Sequence, residues 1–162
     1  MCGIVGLFIK DKALEPRLGE LTAGMLATMC ERGPDSAGSA VYGASKAGEA
    51  KITLQSPEPD EDFKTLAKVI EGEIGGKVKL DVKSTHAVLL CKDDQIDAIR
   101  KAIREKFPRV RIMGVGESIE IYKEVGYPTE VAKQFDLVHM KGTHAIGHTR
   151  MATESAVTTL GA

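Results

Sequence analysis

The residue with the clearest capacity for chemistry is Cys2, which directly follows Met1. Removal of Met1 by an aminopeptidase leaves the Cys2 thiol beside its own free α-amino group. That amine titrates at about pH 8, so it can act as the base for the thiol at neutral pH without help from a histidine. The alternative interpretation is a small core residue, which is the commoner role of a lone cysteine. The position of Cys2 alone favours this second interpretation.

The elements that must position Cys2 are predicted from the spacing of apolar residues. Residues 3–9 form a nearly continuous apolar run, which predicts a buried strand. Pro16 suits the first position of a helix, and Gly33-Pro34 is predicted to end that helix. Cys30, near its end, is interpreted as structural. Apolar residues at helical spacing predict its buried face: Leu18, Leu21, Met25 and Met29.

Three further segments flank a charged central region. Residues 35–44 predict a loop that enters a strand of small residues, and residues 45–50 predict a linker. Near the end of the sequence, residues 128–137 predict a short helix. Residues 144–150 then predict a strand that runs into a polar loop.

The central region, from about residue 51 to 125, alternates charged helices with β-rich runs. Its order, β-α-β-β-α-β, is that of a ferredoxin-like unit. Asp60 and Asp93 are predicted to cap the two helices, and Cys91 is predicted to be a core strand residue. The β-rich runs cover residues 51–55, 78–82, 86–91, 110–113 and 118–122.

Length and composition restrict the class of protein. The 162 residues predict one domain of ordinary size or one that carries a sizeable insertion, and a hydrophobic content of 43% is enough for a core. The alternation of helices and β-rich runs predicts the α+β class. A net charge of −1 gives no electrostatic case for nucleic acid or an anionic membrane, and no apolar run approaches the ~20 residues that span a bilayer. The three widely spaced cysteines argue against a disulfide framework and fit a cytoplasmic location. No histidine or cysteine spacing suits a metal, so none is expected.

Three short segments together resemble a known family. They are Cys2–Gly6, Arg32–Gly38 and Gly147–Thr153. In this order, with the cysteine at the amino terminus, they resemble the class II (type 2) glutamine amidotransferase domain of the N-terminal-nucleophile (Ntn) hydrolase superfamily. The resemblance covers roughly residues 1–44 and 128–162.

The resemblance implies a fold and a domain organisation. The family fold is a four-layer αββα sandwich of two antiparallel sheets, and the chain would supply part of it. Residues 1–45 and 126–162 are predicted to form this amidotransferase core, incomplete at its C-terminal side. Residues 46–125 are predicted to be an inserted ferredoxin-like subdomain. The chain is expected to be the N-terminal portion of a longer protein.

The resemblance also implies a reaction. The Cys2 thiolate attacks the side-chain amide of glutamine and forms a γ-glutamyl thioester. Ammonia leaves, and water then releases glutamate from the enzyme. The ammonia passes to a synthase site on another domain or subunit.

The resemblance gives roles to five other residues. Arg150 would bind the α-carboxylate of glutamine through its planar guanidinium, and Thr153 would add a hydroxyl hydrogen bond. Arg32 and Gly33 would lie over the nucleophile as part of the catalytic site, and Asp35 would fix their loop. Each residue also has a simpler interpretation. Arg150 could be a surface arginine, Asp35 a turn residue, and Arg32 a partner of a helix dipole.

Several features depart from the family pattern or add nothing to it. Glu154 stands where some members have histidine, so it receives no role. A Cys–His dyad with His148 is the weaker alternative, because the α-amino group already provides a base.

The family stabilises the tetrahedral oxyanion partly with an Asn-Gly pair, yet this sequence contains no asparagine. One such donor contributes about 3 kcal/mol. The sequence leaves three explanations open: a longer protein, a complementing subunit, or an inactive domain.

The resemblance also points to the kind of protein that receives the ammonia. More than a hundred residues separate Asp35 from His148, and Met151 replaces an aromatic residue. These features resemble the stand-alone amidotransferase subunit of glutamate-synthase-like enzymes, in which partner subunits carry FMN and iron–sulfur clusters. The chain itself is predicted to hold no cofactor. Two alternatives stay open: a catalytically inactive regulatory, ligand-binding or docking subunit with an inert Cys2, and an amidotransferase domain of purine, glucosamine or asparagine synthesis.

Overall fold

A computed structural model describes residues 2–152, 158, 159 and 161. Within them the chain has the predicted α+β class, with two four-stranded antiparallel sheets and four α-helices. It divides into two compact units, the first made of Met1–Ala44 with Ile121–Ala162 and the second of Ser45–Glu120. The strands are β1 (Gly3–Phe8), β2 (Ser36–Tyr42), β3 (Glu49–Gln55), β4 (Lys79–Lys83), β5 (His86–Lys92), β6 (Arg111–Gly116), β7 (Ile119–Val125) and β8 (His144–Arg150). The helices are α1 (Leu18–Ala27), α2 (Pro59–Ile74), α3 (Ile96–Lys106) and α4 (Pro128–Gln134).

The sheet of the first unit has the strand order β1-β8-β2-β7. Strand β8 is antiparallel to both of its neighbours, β1 and β2. Helix α1 packs against β1 and β8, and α4 packs against β2. The side chains that face the helices are small or branched and buried: Val5, Ala37, Val41, Ala145 and Thr149. The helices therefore cover one face of this sheet.

The opposite face of the first sheet, called the open face below, is exposed along β1 and in the middle of β8. Ile4, Phe8 and Ile146 are exposed at 75%, 66% and 49%. The strand predicted over residues 3–9 is confirmed as β1, but its prediction as a buried strand is wrong. The physical reason is that the described residues cover only the helix-facing side, so every second side chain of β1 meets solvent.

Helix α1 is shorter than the sequence predicts. It begins at Leu18, because Pro16 lies inside a 3-10 helix over Lys12–Arg17. It ends at Ala27, where the Thr28 hydroxyl donates a 2.7 Å hydrogen bond to the Met25 carbonyl and competes with further helical bonding. Leu18 is buried as predicted, and the other buried residues of α1 are Gly19, Thr22 and Leu26. The rest of the predicted stripe, Leu21, Met25 and Met29, is only half-buried, so the helix face is rotated from the predicted one.

We expect Gly19→Ala to lower the free energy of unfolding by about 3 kcal/mol. A Cβ atom at Gly19 would lie 1.9 Å from the Leu137 carbonyl oxygen and 2.7 Å from that of Met140, both of which are backbone. Gly24, in the same helix, has no atom within 4 Å of such a Cβ. Gly24→Ala should therefore stabilise by about 0.5–1 kcal/mol through helix propensity. Chemical denaturation of both variants checks this, and equal midpoints would contradict the packing.

The second unit is built around a sheet with the strand order β4-β5-β3-β6. Along the chain its elements run β3, α2, β4, β5, α3 and β6. Helices α2 and α3 contribute to one continuous apolar core with the strands. Cys91 lies in that core, as predicted.

The predicted caps of α2 and α3 are wrong. Helix α2 begins at Pro59 after Glu58, because proline suits the first helical position, and Asp60 lies within the first turn. Asp93 opens a short 3-10 helix instead, and its carboxylate accepts the Asp94 N–H at 2.8 Å. Helix α3 starts only at Ile96.

The last α-helix is shorter than the sequence predicts. The predicted helix over 128–137 is confirmed as α4 but ends at Gln134, and a 3-10 turn follows over Leu137–His139.

Among the residues described, no helix has the length and apolar character needed to cross a membrane. The same residues contain no group of three or more His, Cys, Asp or Glu side chains that could hold a metal ion.

Candidate active site

The three motif segments meet at one end of the first sheet. Because β1 and β2 are both antiparallel to β8, their first residues lie beside its last residues. Gly3 pairs with Thr149, and Ser36 pairs with Arg150. Cys2 directly precedes Gly3, so the nucleophile predicted from the sequence lies at the same sheet end as Arg150.

Cys2 differs from the other two cysteines in its accessibility. Its side chain is exposed, whereas Cys30 and Cys91 are buried. Burial, together with the smaller effect of the negative charges of Asp93 and Asp94, raises the pKa of the Cys91 thiol to about 11. At neutral pH Cys91 is therefore an inert thiol, and Cys2 is the accessible cysteine of the chain.

The segment from Arg32 to Asp35 packs directly on the end of β8. A Cβ atom at Gly33 would lie 2.5 Å from the Arg150 backbone nitrogen and 2.6 Å from the Thr149 carbonyl carbon. Only glycine permits this approach of two backbones. Pro34 then forms an isolated bridge with Arg150, while Arg32 is exposed.

Asp35 joins this loop to β8 through backbone and side chain. Its N–H donates to the Arg150 carbonyl at 3.1 Å, and its carboxylate accepts the Ala152 N–H at 2.7 Å. Its own carbonyl accepts the Gly126 N–H at 2.9 Å. Asp35 therefore connects β8 with the turn that follows β7.

Arg150 lies on the open face of the sheet but is half-buried there, since a Cβ atom placed on Gly161 would lie 2.6 Å from its Nη1 atom. Its cross-strand partner is Ser36. The Ser36 side chain is fully buried, and its hydroxyl forms no hydrogen bond with the described residues. Cys2 belongs to the same face, since side chains alternate along a strand and cross-strand partners share a side. His148 lies two residues before Arg150 on β8, so its side chain is on the same face of the sheet.

Lys123 is a residue of this region that the sequence did not reveal. It lies on β7, and its Cγ atom would be 2.9 Å from a Cβ placed on Gly38, which the His148 ring also approaches. Burial lowers the pKa of Lys123, and the positive charge of Arg150 lowers it further. No signal in the sequence pointed to Lys123, which belongs to no motif and follows the strand predicted over residues 118–122.

The structure brings together most of the predicted site residues but not all. Cys2, Gly33, Asp35 and Arg150 converge at one sheet end, and Arg32 lies in the loop that contacts it. Thr153, predicted to bind substrate, and Glu154, which received no role, lie outside the described residues. The arrangement offers an accessible thiol and a cationic group on one face, which suits attack on a substrate that carries a carboxylate.

Comparison with known proteins gives the sequence relatives of this chain. The chain is 55% identical over its whole length to "Glutamine amidotransferase-like protein GlxB" of Rhizobium meliloti strain 1021. Over 97% of its length it is 32% identical to "Putative glutamine amidotransferase" of Methanothermobacter thermautotrophicus. The chain is similar to glutamine amidotransferases. No protein-family model matches it.

The similarity is limited to part of each relative. The chain covers 54% of both proteins, so it spans about half the length of the curated relatives it matches. Both relatives carry names that refer to glutamine amidotransferases.

Proposed function

We propose that this chain carries the glutamine-hydrolysing site of a class II glutamine amidotransferase. The observation that carries the proposal is the meeting of Cys2, the Gly33–Asp35 loop and Arg150 at one end of the first sheet. These residues are far apart in sequence and belong to the three segments of the family motif. The names of both relatives agree with the same substrate.

The proposed reaction uses Cys2 as nucleophile and its own α-amino group as base. The amine removes the thiol proton, the sulfur–carbon bond forms, and the proton is delivered to the departing ammonia. Water then cleaves the γ-glutamyl thioester to give glutamate. Arg150 binds the α-carboxylate, while Gly33 and Asp35 hold the loop that carries Arg32 over the reacting group. Thr153 is proposed as a further contact of the substrate.

The tetrahedral oxyanion must be stabilised by hydrogen-bond donors, and this sequence contains no asparagine that could provide one. We propose that residues outside these 162 contribute the missing donor, since the relatives are about twice as long. Their additional sequence would also cover the open face that bears Ile4, Phe8 and Ile146. That packing would complete an αββα sandwich of the Ntn-hydrolase type.

The second unit, Ser45–Glu120, is proposed to be a ferredoxin-like insertion that serves as a docking platform. Its β-α-β-β-α-β order and its strand order support that fold. The proposed acceptor of ammonia is a glutamate-synthase-like partner in the cytoplasm. FMN and iron–sulfur clusters would belong to that partner. The large separation of the motif segments by this unit supports the assignment.

The test of the proposed function is the intact mass of the full-length protein after treatment with a diazoketone analogue of glutamine. We expect loss of Met1 and a single adduct at Cys2, with excess glutamine preventing the adduct. Cys30 and Cys91 are buried and serve as internal controls that should stay unmodified. Retained Met1, or labelling that glutamine does not slow, would contradict the proposal.

A further inference from the structure

A second cation lies on the open face of the first sheet near Arg150. Lys123 belongs to β7, which borders β2 on the side away from β8. Gly38 on β2 has no side chain, and the space above it is taken by Lys123 and His148. The Lys123 Cγ atom lies 2.9 Å, and the His148 Cε1 atom 2.5 Å, from the position that a Cβ atom on Gly38 would occupy. The missing side chain at Gly38 thus allows Lys123 to lean across β2 towards β8.

Arg150 and Lys123 are close enough to repel one another. The positive charge of Arg150 is one of the two causes that lower the pKa of Lys123, the larger being burial. Like charges on a half-buried surface are unfavourable, and a shared anion removes the repulsion. Fully buried Ser36, the cross-strand partner of Arg150, adds a hydroxyl without a hydrogen bond to the described residues.

We propose that Lys123 acts with Arg150 to bind the carboxylate of the amide substrate, with the Ser36 hydroxyl beside them. The identity of that substrate as glutamine rests on the proposed function. The anion site itself does not, because it is argued from the placement of Lys123, Arg150 and Ser36 and not from the reaction at Cys2. Lys123 is thus a determinant of specificity for an amide that also carries a carboxylate.

The kinetic test compares Lys123→Met with Lys123→Arg and with Lys10→Met, a lysine exposed just beyond the far end of β1. In the full-length protein we expect Lys123→Met to raise KM for glutamine about tenfold with kcat within about twofold, as for loss of one charge-assisted hydrogen bond. Lys123→Arg should restore KM to within about threefold, and Lys10→Met should leave both constants unchanged. An unchanged KM in Lys123→Met would overturn the proposal. A folded Lys123→Arg variant without rescue would do the same.

A second measurement separates this proposal from the proposed function. Cys2 is alkylated with iodoacetate, which is anionic, and with iodoacetamide, which is neutral and of similar size. Two cations near the thiol speed alkylation by iodoacetate relative to alkylation by iodoacetamide. The rate with iodoacetate divided by the rate with iodoacetamide should therefore fall about two- to threefold in Lys123→Met at low salt and stay unchanged in Lys10→Met. An unaltered ratio would overturn the role of Lys123 even if glutamine is hydrolysed. A lowered ratio in a protein that does not hydrolyse glutamine would sustain the anion site and reject the proposed function.

Discussion

Replacing Cys2 with alanine is expected to reduce glutamine hydrolysis by at least about a thousandfold. Removal of a covalent nucleophile eliminates the thioester pathway, and the remaining groups can only bind the substrate. Cys2→Ser should lose nearly as much, because a hydroxyl is far less acidic than a thiol beside the same amine. Release of ammonia from glutamine, measured with the purified full-length protein, gives the size of both effects.

The same variants test whether hydrolysis and synthesis occupy separate sites. In a complex with the proposed synthase partner, Cys2→Ala should still support synthesis from added ammonia. Cys91→Ala is the matched control, since Cys91 is a buried thiol in the core of the second unit. It should retain glutamine hydrolysis. Loss of both the glutamine-dependent and the ammonia-dependent activity in a folded Cys2→Ala protein would contradict separate sites.

Gly33→Ala is expected to lower glutamine hydrolysis by about a hundredfold and to reduce stability as well. The added methyl group would meet the backbone of Thr149 and Arg150 at 2.5 to 2.8 Å, where no flexible side chain can move aside. The loop must therefore shift away from β8. A displacement of about 1 Å in a group that positions the substrate is enough for a loss of this size.

The control for Gly33→Ala is Gly24→Ala, because its added methyl group meets no other atom. It should keep full activity. To separate loss of positioning from loss of fold, activity is measured well below the denaturation midpoint of each variant. A folded Gly33→Ala enzyme with normal kcat and KM would contradict the close packing of this loop on β8.

The sequence predicts well those features that depend on local patterns. Strand β1 follows from an apolar run, and the α+β class follows from the alternation of β-rich runs with amphipathic helices. The convergence at one sheet end depends on pairing between β1, β2 and β8, and spacing alone does not determine such pairing. The resemblance to a family anticipated which segments belong together, and the register places them side by side.

Helix ends and faces were predicted less well. The stop at Ala27 depends on one hydroxyl, that of Thr28, and the start of α2 depends on Pro59 rather than on Asp60. Lys123 escaped prediction because its importance comes from the absence of a side chain at Gly38, on another strand. That relation exists only after the strands are paired.

The pairing of β1 with β8 also governs the order of events during translation. Among the described residues, strand β1 has β8 as its only neighbour in the sheet, and β8 begins about 136 residues after β1 ends. At about 5–20 residues per second, roughly 7 to 30 s pass before the ribosome has made that neighbour. During this interval the nascent amino terminus is an unpaired strand that processing enzymes can reach. Under the proposed function, exposure of the Cys2 amine would therefore precede completion of the sheet end that forms the proposed site.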